Sequence, residues 1–193
     1  MIVKVTITFL MTLCLSTMLI SVRGQGMDIP ADVKPFVGKD KIALALETAD
    51  LNGDGTKDHI LVLERVGADK NDGTEDKRWL LVLIRDTKGN LKLAKTNDKV
   101  VYCRSCGGVF GDPFAGIRVR AGSFTVDNYG GSNWRWSDSY TFNYSRIDKT
   151  WQLLKVVKVT FNATDPNQVK SKTVTPKKFG KVDIASADPE KIH

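Results

Sequence analysis

The segment Asp50-Leu51-Asn52-Gly53-Asp54-Gly55-Thr56-Lys57-Asp58 gathers side chains suited to binding a cation. Oxygen-bearing side chains fall at positions 1, 3, 5 and 9 of a loop, and Gly55 stands at position 6. A hard cation such as Ca²⁺ takes six to eight oxygen ligands, and the glycine supplies the sharp turn that wraps them. The spacing predicts a Ca²⁺ site formed by the side chains of Asp50, Asn52, Asp54 and Asp58 and the carbonyl of Thr56. Position 12, a bidentate glutamate in an EF-hand, is Leu61, so Asp58 must replace it. The competing reading is a metal-free Asn/Asp/Gly turn with its carboxylates facing water.

The elements that position this loop read as strands. Ile42, Leu44 and Leu46 alternate with Ala43, Ala45 and Glu47, and His59–Glu64 is a short run rich in branched apolar residues. The unit is therefore strand, calcium loop, strand, and not helix, loop, helix.

Other reactive residues are few. Cys103 and Cys106 are expected to pair as a structural disulfide in an oxidising compartment. A thioredoxin-like dithiol needs a helix starting at the first cysteine, and Gly107-Gly108-Val109-Phe110-Gly111-Asp112-Pro113 is a poor helix. Half of a zinc site is the remaining alternative, but His59 and His193 are the only histidines. The same scarcity disfavours a Ser-His-Asp or Cys-His catalytic set. The glycine-rich stretch from Cys106 to Gly116 lacks the Gly-Lys-Ser/Thr ending of a phosphate loop. Asp69, Asn71, Asp72, Gly73, Glu75 and Asp76 form an irregular acidic cluster, read as a solvated loop in preference to a second cation site. Asp112, Asp127 and Asp138 lie near aromatics and are candidates for paired-carboxylate hydrolysis, as in glycoside hydrolases. Trp134 and Trp136 are two apart, so in a strand they point the same way. Burial of both against Tyr140, Phe142 and Tyr144 is the favoured reading. The alternative joins them to Tyr129 as an exposed aromatic recognition surface.

Met1–Lys4 is a short basic start, Val5–Val22 is apolar, and Val22-Arg23-Gly24 ends in a small residue, so 1–24 reads as a secretory signal peptide. The alternative is an uncleaved anchor helix. Export to the periplasm or medium is expected, with no membrane anchor after cleavage. Of 29 basic and 22 acidic residues, Lys4 and Arg23 fall in this leader, which leaves 27 against 22, a net charge of +5. The lysines are spread out and the lysine-rich C-terminal segment holds only Phe179 as an aromatic, so nucleic-acid binding is not expected.

The remaining chain is one domain by length. Strands are expected at 42–47, 59–65, 79–85, 91–94, 100–103, 117–120, 123–129, 133–137, 139–146 and 151–161, separated by Gly/Asn/Asp turns. Short strands at near-regular spacing without helical periodicity predict an all-β, antiparallel meander or sandwich, or a partial propeller-like sheet. The β domain spans 25–162. A polar tail, 163–193, is expected to dock in part through Phe179, Val182 and Ile184.

The Asp50–Asp58 loop followed by Ile60–Leu63 resembles the calcium loop of FG-GAP/VCBS-type repeats. That resemblance implies a mainly structural cation between neighbouring strands. With one copy present, it does not imply a full propeller. The signal peptide, Cys103–Phe114 and Gly130–Trp136 together resemble small exported bacterial β-rich proteins of unassigned activity. The expected function is an exported, Ca²⁺-binding β domain that recognises an envelope protein or a glycan. A carboxylate-based hydrolase and a purely structural envelope protein are the alternatives.

Overall fold

The computed structural model describes residues 27–67 and 77–192. The leader, His193 and the acidic cluster at 69–76 lie outside the described residues. Nine strands form two antiparallel meanders: β1 (Lys41–Ala49), β2 (Asp58–Arg65), β3 (Arg78–Arg85) and β4 (Leu91–Asn97) in one sheet, then β5 (Phe114–Arg120), β6 (Ser123–Gly131), β7 (Trp134–Ser145), β8 (Thr150–Asn162) and β9 (Asp165–Val174) in the other. The protein is an all-β sandwich. No helix among the described residues is long and apolar enough to cross a membrane.

The first sheet is covered on both faces, which is why β2 and β3 read as near-continuous apolar runs. Ile60, Val62, Leu80 and Val82 point inward to a core shared with Phe124, Val126, Tyr140, Phe142, Trp151 and Val156 of the second sheet. Leu61, Leu63, Leu81 and Leu83 point the other way and are capped by Ile29, Val33, Phe36 and Val37 of the lead-in segment. The second sheet alternates apolar with polar because its outer face meets solvent.

The expected strands differ from the structure at three places. Residues 100–103 are not a strand: Val100 and Val101 bury their side chains in the core without a ladder partner. The stretches 133–137 and 139–146 merge into one continuous strand, β7, which runs from Trp134 to Ser145. Asp165–Val174, read as tail, is the edge strand β9 paired with β8 from Val156 to Asn162. Beyond it, Ile184, Ala187 and Ile192 enter the main core, and Phe179 and Val182 pack against it.

Sheet lengths set the position of the candidate site. β7 and β8 have 12 and 13 residues, whereas β2 and β3 have 8 each. At about 3.3 Å per residue β7 and β8 outrun β2 and β3 by roughly 13–17 Å. The inner face of the second sheet is therefore covered along part of its length and open at one end.

Candidate functional site

The calcium-type loop and the open end occupy opposite poles of the sandwich, at the two ends of β2. At the first pole β1 ends at Ala49 and β2 begins at Asp58. Gly55 adopts φ 87°, a left-handed conformation that suits glycine. Asp50 Oδ1 accepts the N–H groups of Gly53 (2.7 Å) and Asp54 (3.2 Å), and its Oδ2 accepts that of Gly55 (2.9 Å). Asn52 Oδ1 accepts the Asp54 N–H (3.0 Å), and Asn52 Nδ2 donates to Asp54 Oδ2 (2.8 Å). Asp54 Oδ1 accepts both the N–H (2.8 Å) and the hydroxyl of Thr56. The hydroxyl bond leads the causes that hold Asp54 below the ordinary carboxylate value.

Asp58 is fully buried. Its two oxygens accept the N–H groups of Leu51 and Arg85, both at 2.9 Å, so it ties the loop to the end of β3. Burial pushes its carboxyl up, and the nearby charges of Asp54 and Asp50 add to that rise. An all-oxygen donor set of this kind suits a hard cation. The same oxygens are at present engaged with backbone N–H groups. Among the described residues no three histidine, cysteine or carboxylate side chains are gathered into a metal-binding cluster.

The second pole holds a cleft of about 600 Å³ whose lining includes Arg78, Tyr102, Trp136, Lys158, Asp188 and the Cys103–Cys106 disulfide. Cross-strand register explains the change from core to site. Val126, Tyr140, Val156 and Val174 form one inward row across β6–β9, all buried. The next row is Asn128, Asp138, Lys158 and Lys172, and the row after it is Gly130, Trp136, Thr160 and Lys170. The apolar row lies under the first sheet, and the polar and aromatic rows lie at and beyond its end.

Tyr102 and Trp136 form the cleft's inner wall, and Asp138 and Tyr140 hold the Tyr102 hydroxyl. The Tyr102 hydroxyl donates to Asp138 Oδ2 at 2.8 Å and lies 2.6 Å from the Tyr140 hydroxyl. Burial pushes both phenols above the ordinary tyrosine value and the Asp138 carboxylate adds to the rise, while the bond from Tyr102 opposes it at Tyr140; both phenols stay protonated. The Trp136 ring lies 5.7 Å from the Tyr102 ring, centroid to centroid.

Arg78, fully buried, closes the base of the cleft. It donates to Glu64 Oε2 (2.9 and 3.2 Å), to both Asp112 oxygens (2.6 Å each) and to the Tyr102 carbonyl (3.2 Å). Arg104 donates to the other Glu64 oxygen at 3.2 Å. Two cations and two carboxylates thus balance, and they join β2 and β3 to the disulfide loop. Cys103 and Cys106 are bonded, with Cα atoms 5.1 Å apart around the short turn Arg104–Gly107.

The expected aromatic unit of Tyr129, Trp134 and Trp136 divides between the faces of the sheet. Trp134 and Trp136 share the inner face, but their burial is graded: Trp134, at the very end, is 50% exposed, and Trp136 is half-buried. The expectation that both are buried or both exposed fails because cover ends between them. Tyr129 lies on the outer face, where its ring meets Phe110 and Phe161 and its hydroxyl accepts from Arg135 (3.1 Å).

The three candidate carboxylates are likewise dispersed. Asp112 is held by Arg78, and Asp127 bonds Arg118 and Ser139 on the outer face. Asp138 lies on the inner face of the sheet, where it accepts from the Tyr102 hydroxyl. Sequence reading missed Tyr102, Lys158 and the Glu64–Arg78–Asp112 network. The available signal was the charged residue at the end of each apolar run, Glu64 after β2's and Arg78 before β3's.

The chain matches no protein-family profile and no curated protein.

Proposed function

We propose that this is an exported, calcium-stabilised binding domain that recognises a glycan of the cell envelope in the end cleft. The observation that carries the reading is the outrun of the second sheet. It leaves a concave site lined by Trp136 and Tyr102, with convergent polar groups from Lys158, Asp188 and Glu190. A concave site with aromatic walls and a few placed polar groups is the usual form of a ligand pocket. An indole face offers a flat apolar platform for the C–H face of a sugar ring, and carboxylates and phenols beside it exchange hydrogen bonds with hydroxyls. Calcium at Asp50–Asp58 would act at the opposite pole, holding the β1–β2 connection rather than touching ligand.

Binding of the protein to an array of purified glycans tests this reading. The wild-type domain is expected to retain a defined subset, and Trp136→Ala is expected to lose it while remaining folded. Absence of any retained glycan, or retention unaffected by Trp136→Ala, rejects the cleft as the site. The paired-carboxylate alternative gains no support from the geometry, since Asp127 and Asp138 lie on opposite faces of one sheet.

A further inference from the structure

Lys158 and Lys172 stand directly opposite each other on β8 and β9, and Lys170 is two residues from Lys172 on the same face. Like charges directly opposite in a ladder are destabilising. No acidic side chain comes within ion-pairing distance of these three among the described residues, whereas Lys99 across the cleft is paired with Asp188 at 2.7 Å. The side chains at 158, 170 and 172 all share the inner face that carries Trp134 and Trp136. The opposite face of the same strand pair presents Val157, Val159, Ser171 and Thr173.

We propose, building on the cleft reading above, that the ligand is an anionic glycan, a sugar chain bearing carboxylate or sulfate groups. Its anions seat on Lys158, Lys170 and Lys172, and a sugar ring lies against the Trp136 and Trp134 indoles. From Trp134 to the Asp138 row is about 13 Å along β7, and from β7 to β9 is about 10 Å, so the surface fits an extended oligomer and exceeds a single small anion. Asp98, Asp188 and Glu190 border the same cleft. They can accept hydrogen bonds from sugar hydroxyls.

Titration calorimetry of the protein tests the proposal with four probes: a polygalacturonate oligomer, a heparin oligomer, a neutral dextran oligomer and single-stranded oligothymidine. Binding of at least one of the first two is expected, with dextran silent. Lys158→Ala/Lys172→Ala should weaken it about tenfold or more and flatten its salt dependence, as loss of two ionic contacts requires. Lys158→Arg/Lys172→Arg should retain binding, and Lys155→Ala, on the outer face of β8, should leave it unchanged. Dextran bound as tightly as the charged oligomers, with the double alanine variant unaffected, overturns the anionic preference while the cleft survives. Tighter binding of oligothymidine than of either anionic glycan overturns the ligand class. Silence toward all four probes overturns the anionic proposal, and the cleft reading falls with it only if the glycan array is also blank.

Discussion

A Cβ added to Gly130 would lie 2.6 Å from Cζ2 of Trp136 and 2.8 Å from the carbonyl oxygen of Gly107. The indole lies across the bare backbone of the neighbouring strand and is held there by the disulfide loop. Gly130→Ala must therefore displace the ring or the loop. An overpacking cost of about 1–3 kcal/mol is expected in urea unfolding, together with a shifted tryptophan emission. An unchanged emission and midpoint would show that the ring does not depend on that gap.

The tryptophans should rank by cover and not by residue type. Trp151 is 2% exposed, and its indole N–H donates to the Leu51 carbonyl at 2.9 Å, so Trp151→Ala is expected to cost about 3–5 kcal/mol. Trp136→Ala should cost roughly 1–3 kcal/mol, and Trp134→Ala about 0.5 or less. Equal costs at 134 and 136 would mean that the second sheet ends where the first does.

Arg78 balances Glu64, which is 2% exposed. Arg78→Ala strands that carboxylate and is expected to cost about 3–5 kcal/mol. Adding Glu64→Gln should recover part of the loss, and a double-mutant cycle measures it. Burial pushes the Asp112 carboxyl up, but the hydrogen bonds from Arg78 and the Phe114 N–H outweigh it and leave the group below its ordinary value. A carboxyl with a depressed folded-state pKa contributes stability above its unfolded value, and that contribution is lost as pH falls through the folded value. Stability should therefore drop below about pH 4, and Asp112→Asn should flatten the slope there. A slope identical in the variant would mean that Asp112 is not ion-paired in solution.

At the loop, two aspartates should separate cation binding from plain folding. Calcium is expected to raise the melting temperature by mass action, and Asp54→Ala to abolish that rise with little effect on the metal-free domain. Asp58→Asn should instead weaken the domain even without calcium, by about 1–3 kcal/mol, because its amide group would face one of the two N–H donors. Calorimetry showing no heat of binding at millimolar Ca²⁺ would reduce the loop to a hydrogen-bonded turn.

Reduction of Cys103–Cys106 should cost only about 1–2 kcal/mol, less than a typical disulfide, because the closed loop is short. Dithiothreitol titration followed by thermal melting measures it. A loss above the typical range would mean that the disulfide also organises the Arg104–Glu64 contact.

The sequence by itself determined the features that rest on neighbouring residues. Period-2 alternation and Gly/Asn/Asp turns gave the all-β class and most strand positions. The spacing of Cys103 and Cys106 suited a local bridge. Other features depended on partners distant in sequence. β9 carries the polar residues of an exposed edge, so its pairing with β8 has no apolar signature. Residues 100–103 look like a strand but meet no neighbouring ladder. Asp58 presented itself as a cation ligand, and only the structure shows it buried and bonded to the backbone of Leu51 in the loop and of Arg85 on β3. Tyr129 and Trp136 are seven residues apart across a turn, so their separation onto opposite faces follows from hairpin register, which the turn's geometry sets. The site itself was decided last, by unequal sheet lengths. One inward row of the second sheet is core under the first sheet, while the rows beyond it hold an uncovered indole and unpaired lysines. Cover, and with it the difference between core and site, is a property of two sheets packed together, which neither strand's own sequence encodes.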